Sequence, residues 1–141
     1  MVENEQTQIK DSQWEMLLNK AREASSFAYA PYSNFKVGAA LLSKDGQIFV
    51  GCNIENSSYS LTLCAERVAI MCAVSKGKKE FLALALSVPG NAVSTPCGAC
   101  RQVLVEFSEN LPILVEARDS GNKEVFYLGS LIPKPFRLEK K

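Results

Sequence analysis

The 141-residue sequence contains no histidine. That absence excludes Ser-His and Cys-His nucleophilic pairs, and it leaves sulfur and carboxylate side chains as the ligands from which any zinc site must be built. An excess of charge of either sign is also lacking, because 16 basic residues face 15 acidic ones for a formal net charge of +1. Apart from a short cluster from Lys76 to Lys79 and a basic tail after Lys134, the basic residues are dispersed, which argues against a polynucleotide partner. No apolar run approaches membrane-spanning length, since the longest candidate, Phe81 to Val88, covers only a strand. The polar, acidic start from Met1 to Gln8 lacks the charged-then-apolar pattern of a secretory signal, so a cytoplasmic protein without membrane association is expected. Repeats, low-complexity tracts and Pro/Ser-rich linkers are missing too. One domain over residues 11–138 is therefore expected, after a flexible start at 1–10 and before a short tail at 139–141.

What is present is sulfur. Five cysteines in a cytoplasmic chain are expected to be reduced, which turns the question to metal binding or thiol chemistry. The elements that would carry them follow from periodicity. Trp14, Leu17, Leu18, Ala21, Ala24 and Ala28 recur at helical spacing, with Ser12 as the expected cap and Pro31 as the limit. Phe35 to Leu42 and Gln47 to Ile54 read as a hairpin turned by Lys44-Asp45-Gly46. Cys64 to Val74 suits a buried helix, Phe81 to Val88 a central strand, and the segment after Pro96 a helix closed by Pro112. Strands at Ile113 to Ala117 and Glu124 to Tyr127 finish the order, with a turn or short helix near Leu131. This order predicts an α/β layered domain with a mixed five-stranded sheet.

Cys97-Gly98-Ala99-Cys100 places two sulfurs one helical turn apart, so both can face one ion from a helix start. Cys64 opens its own helix, and helix N-termini favour thiolate over thiol. Three thiolates on Zn²⁺ would leave a fourth position for water, which is the catalytic arrangement. Glu66, two residues after Cys64, is placed to take a proton from that water and pass it on. The net negative charge of such a site needs an offset, for which Arg67 and Arg101 are the candidates as donors to the sulfurs. Two other readings stay open at this point: a structural zinc module with Cys52 or Cys72 as fourth ligand, and a Cys97/Cys100 redox couple.

Cys64-Ala65-Glu66-Arg67 with Pro96-Cys97-Gly98-Ala99-Cys100-Arg101-Gln102 resembles the zinc nucleoside deaminases. Pro31-Tyr32-Ser33, Phe35, Val37-Gly38-Ala39-Ala40 and Gly51-Cys52-Asn53-Ile54-Glu55-Asn56 extend the resemblance to small homotetrameric cytidine deaminases over roughly residues 15 to 137. The resemblance implies a three-layer α/β/α fold, Zn²⁺ as cofactor, and deamination of cytidine and 2′-deoxycytidine with Glu66 as proton shuttle. It further implies that Asn53 and Glu55 bind the ribose hydroxyls, that Phe35 and, from a neighbouring subunit, Phe136 contact the pyrimidine ring, and that Ser57 and Tyr59 approach the adjacent subunit's active site. Ser57 departs from the alanine frequent in the family, and Pro133-Lys134-Pro135 departs from its usual small residues before Phe136.

Overall fold

A computed structural model of the chain describes residues 8–141, so most of the expected flexible start at 1–10 lies outside the described residues. In chain order the elements are α1 (Asp11–Ser25), β1 (Gly38–Ser43), β2 (Ile48–Cys52), α2 (Ala65–Ser75), β3 (Phe81–Val88), α3 (Gly98–Val105), β4 (Pro112–Ala117), β5 (Lys123–Tyr127) and α4 (Leu128–Leu131). A 3-10 turn at Tyr59–Leu61, without a signal in the periodicity, precedes α2. The strands form one sheet in the order β2-β1-β3-β4-β5. Among the described strands only β3 and β4 pair in parallel, and the connection between them carries α3, as a parallel pair requires a crossover.

Alternation along the strands divides the core into two layers. Ala40, Leu42, Ala83, Ala85 and Leu114 face α1 through Leu17, Leu18 and Ala21. Leu41, Leu84, Leu86, Ile113 and Val115 face the opposite way, against Ala65, Ala69, Ile70 and Ala73 of α2 and Leu104 of α3. The result is the three-layer α/β/α arrangement expected. Two glycines set how closely the helices approach. A Cβ at Gly38 would lie 1.8 Å from the Ala21 carbonyl oxygen, and one at Gly51 would lie 2.5 Å from backbone atoms of Ala65 and Ala69. The helix carrying the Cys64 segment is thus seated directly on β2.

The hairpin is shorter than expected, with β1 beginning at Gly38 and not at Phe35 and β2 ending at Cys52 and not at Ile54, and three helix boundaries differ as well. Lys10, not Ser12, caps α1, and its amide donates to the Gln13 side chain at 2.9 Å. The helix stops at Ser25, short of Ala28, because the Ser25 and Ser26 hydroxyls take the carbonyls of Arg22 and Glu23. Pro112 does not close α3, which ends at Val105; it begins β4.

Candidate metal centre and active site

Cys64 and Cys97 are the N-cap residues of α2 and α3, both with extended backbone, and Cys100 lies in the first turn of α3. The two helix starts meet beside the carboxyl end of β3, where Leu86 and Val88 line a cavity. The sulfurs of Cys64, Cys97 and Cys100 all lie within 4.8 Å of one another, with Cys64 to Cys97 at 3.8 Å and Cys97 to Cys100 at 3.4 Å. Tetrahedral ligation with Zn–S bonds of about 2.3 Å separates sulfurs by about 3.8 Å, so this donor set fits zinc with little adjustment. All five cysteines are free, and Cys52 and Cys72 stand outside the cluster among the described residues.

The electrostatics of the cluster favour thiolate at Cys64. Hydrogen bonding from Cys100, with further help from Arg67 and Cys97, pulls the Cys64 thiol well below its ordinary value. Its bond to Cys64, together with burial, pushes the Cys100 thiol upward. Arg67 Nη2 lies 3.6 Å from Cys64 Sγ and 3.3 Å from the Thr62 carbonyl oxygen, so the guanidinium is held beside the Cys64 sulfur. Its Nε is buried without a hydrogen-bond partner, so the guanidinium sits with a donor unsatisfied beside the thiolates. Arg101 does not share that position. Its donors go to the Pro96 carbonyl at 2.7 Å, the Leu131 carbonyl at 2.8 Å and Thr95 Oγ1 at 2.6 Å. The expectation that Arg101 serves the sulfurs is therefore corrected: it braces the loop before Cys97 against α4.

Glu66, in the first turn of α2, is 6% exposed and lines the same cavity as Cys64. Desolvation, reinforced by the Cys64 charge, raises its pKa to about 7. The cavity has a volume of about 210 Å³ and is also lined by Phe35, Asn53, Thr62 and Thr95. Thr62 and Thr95 escaped the sequence reading, having no motif of their own beyond adjacency to the cysteine segments.

Asn53 and Glu55 follow β2 and are both buried, whereas Ile54 between them is exposed, in keeping with the period of two. Their side chains already serve the backbone. Asn53 Oδ1 accepts from the Val37 amide at 2.8 Å, and Nδ2 donates to the Phe35 carbonyl at 2.7 Å. Glu55 accepts from the amides of Tyr32 and Ser33 and from the Ser33 hydroxyl. That hydroxyl, aided by the two amides, holds the Glu55 carboxyl below its ordinary range. Glu55 is not among the residues lining the cavity, and neither are Ser57, Tyr59 and Phe136. Ser57 Oγ is 2.6 Å from the Tyr32 hydroxyl, the Tyr59 ring stands edge-on to Tyr32, and the Phe136 carbonyl accepts from Gln102 Nε2 at 2.9 Å.

The family model for the cytidine and deoxycytidylate deaminase zinc-binding region matches residues 11–115. The chain belongs to this deaminase family. Among relatives, the cytidine deaminase of Sporosarcina psychrophila is 46% identical over 125 residues, covering 89% of this chain and 92% of the relative. The crystal structure of the cytidine deaminase from Burkholderia pseudomallei superposes with a TM-score of 0.83 at 44% identity, covering 86% of this chain and 98% of that one. The structure of the cytidine deaminase from Mycobacterium tuberculosis gives a TM-score of 0.75 at 41% identity, covering 92% and 100%. The metal of this deaminase family is zinc, and the Cys64, Cys97 and Cys100 cluster is the site placed to hold it. No helix among the described residues is long and apolar enough to cross a membrane.

Proposed function

We propose that the chain hydrolyses cytidine and 2′-deoxycytidine to uridine and 2′-deoxyuridine with release of ammonia, Glu66 acting as the proton shuttle. The observation that carries this reading is the convergence of three sulfurs and a buried carboxylate at one cavity. Held by Cys64, Cys97 and Cys100, zinc supplies Lewis-acid activation of a water. Glu66 takes a proton and delivers it to N3 of the cytosine ring, and a pKa near 7 suits a group that must both accept and release one at neutral pH. Water adds at C4, Glu66 carries the remaining hydroxyl proton from the C4–OH to the amino group, and the C4–N bond breaks to release ammonia and leave the C4 carbonyl. Arg67 offsets the thiolate charge through Cys64.

Asn53 and Glu55 are assigned to the ribose. After its backbone bonds, Asn53 keeps one N–H and one lone pair, and Glu55 Oε2 keeps acceptor capacity for a 3′-hydroxyl. The Glu55 carboxylate disfavours a nearby 5′-phosphate, so free nucleosides are the substrates. Phe35 contacts the pyrimidine ring from its place in the cavity lining.

The assembly is assigned as a homotetramer in the cytoplasm, with Ser57, Tyr59 and Phe136 approaching a neighbour's site. Supporting this, Tyr59 and Phe136 are 70% and 68% exposed, and Leu61 and Phe27 are exposed apolar residues as well. A single chain's cavity of about 210 Å³ also falls below the ~300–1,000 Å³ usual for ligand sites, as a site completed by a second chain would.

An ultraviolet assay with cytidine, deoxycytidine, cytosine and cytidine monophosphate, beside light scattering for mass, tests the proposal. Turnover confined to the two nucleosides by a tetramer is expected. Preference for the monophosphate, or full activity in a monomer, refutes the substrate or the assembly reading respectively.

A further inference from the structure

The segment that presents Phe35 belongs to no strand, since β1 begins only at Gly38. Its backbone is held instead by side chains from elsewhere. Ser33 Oγ accepts from the Phe35 amide at 3.0 Å, and Asn53 brackets the segment through the Phe35 carbonyl and the Val37 amide. The remaining carbonyl, that of Lys36, accepts from Arg118 Nη2 at 2.5 Å.

Arg118 follows the end of β4, where its amide donates to the Val88 carbonyl at 2.8 Å. Its Nη1 donates to the Ser87 carbonyl at 2.7 Å and to Ser87 Oγ at 3.1 Å. Ser87 Oγ donates in turn to Glu116 Oε2 at 3.1 Å, and Arg22 of α1 grips the same carboxylate through Nε at 2.8 Å and through Nη2. Ser87 and Glu116 are register partners on β3 and β4, and they are 0% and 4% exposed. A chain of polar groups buried in an apolar layer is costly relative to apolar replacements. Strand pairing does not require it, because the β3–β4 ladder is made by the backbone. What it does accomplish is to fix a guanidinium whose free edge reaches the one carbonyl between Phe35 and Val37.

We infer that Arg118 is a positioning residue for the deamination site, setting the Phe35 ring against the substrate base by holding the Lys36 carbonyl. Arg118 is not among the cavity-lining residues and acts only through that segment. The planar fork of arginine is needed, because one group must bridge the Ser87 carbonyl of β3 and the Lys36 carbonyl of the loop at once, which a single ammonium does poorly. The inference rests on the proposed contact of Phe35 with the pyrimidine ring.

A double-mutant cycle tests it, with steady-state kinetics on cytidine, zinc content and thermal stability measured for Arg118→Gln, Phe35→Ala and the double variant. Loss of one charge-assisted hydrogen bond is expected to raise KM about tenfold in Arg118→Gln, with kcat and zinc content nearly unchanged. In the Phe35→Ala background the same change is expected to move KM by less than about twofold, since the ring it positions is gone. Additive effects on KM would overturn the inference while leaving the Phe35 contact intact. An unchanged KM in Phe35→Ala alone would overturn both the contact and the inference. A fall in kcat and zinc content at constant KM would mark a purely structural role and also overturn it. Arg118→Lys, which keeps the charge but not the fork, runs through the same cycle and gives the same contrast should the glutamine variant fail to fold.

Discussion

Replacing Glu66 with Gln isolates proton transfer from everything else the site does. The side chain is 6% exposed and packed in the first turn of α2, and the amide matches it in volume, so no cavity opens and the sulfurs keep their places. Burial raises the carboxyl to about 7, so the wild-type group is poised to exchange a proton, whereas the amide cannot do so at any pH. A positioned general acid/base contributes about 10²–10⁴-fold, and in the proposed mechanism Glu66 both removes and delivers a proton. We expect kcat to fall about 10³-fold or more, which corresponds to about 4 kcal/mol of barrier. Zinc content should be unchanged, and the melting temperature should hold or rise, because a desolvated carboxylate has been exchanged for a neutral group. Pre-steady-state and steady-state deamination assays on protein of measured zinc content read the result. Activity within about tenfold of wild type with zinc retained would refute the shuttle role, and loss of zinc would refute the assignment of Glu66 as a residue that does not ligate.

Other outcomes follow from the same geometry. Arg67→Gln should weaken zinc about 10–100-fold in chelator competition, whereas Arg101→Gln should not; the reverse order would refute the placement of the two guanidinium groups. Glu116→Gln should cost about 2 kcal/mol at pH 7, less than the ~3–5 kcal/mol of a fully buried pair because Arg22 is partly exposed. Since the Arg22 hydrogen bond lowers the Glu116 pKa, its contribution is present above the ordinary carboxylate range and is lost as pH falls through the folded value. The gap between wild type and Glu116→Gln in urea denaturation should therefore narrow below about pH 4, and a gap independent of pH would contradict the pairing. Gly51→Ala should cost about 2 kcal/mol and loosen zinc, because a Cβ there strikes the backbone of α2; a variant as stable as wild type would show that the helix can shift freely.

Much of the site was legible because its chemistry is carried by residues at helix starts. Cys64 and Cys97 precede helical periodicity directly, and Cys100 follows one turn later, so convergence of the sulfurs required only that the two starts meet. Side-chain direction was less legible. Arg67 and Arg101 are each adjacent in sequence to a chemically important residue, but one lies over Cys64 while the other turns to carbonyls at Pro96 and Leu131, a choice made by tertiary acceptors. Periodicity also could not place the start of β1 at Gly38 and not at Phe35, because side chains of Ser33, Asn53 and Arg118 take the hydrogen bonds a strand would have made. Ser87 and Glu116 were hidden in runs that read as apolar strands, and their hydrogen-bond partners lie far along the chain, Arg118 at 31 residues from Ser87 and Arg22 at 94 from Glu116.

The central claim is that Cys64, Cys97 and Cys100 hold a zinc ion whose remaining position is open toward Glu66. Metal stoichiometry joined to zinc-edge X-ray absorption on the purified protein tests it most directly. One zinc per chain with three sulfur neighbours at about 2.3 Å and one lighter neighbour is the predicted result. A chain without tightly bound metal, a fourth sulfur at the ion, or disulfides among these cysteines would contradict it.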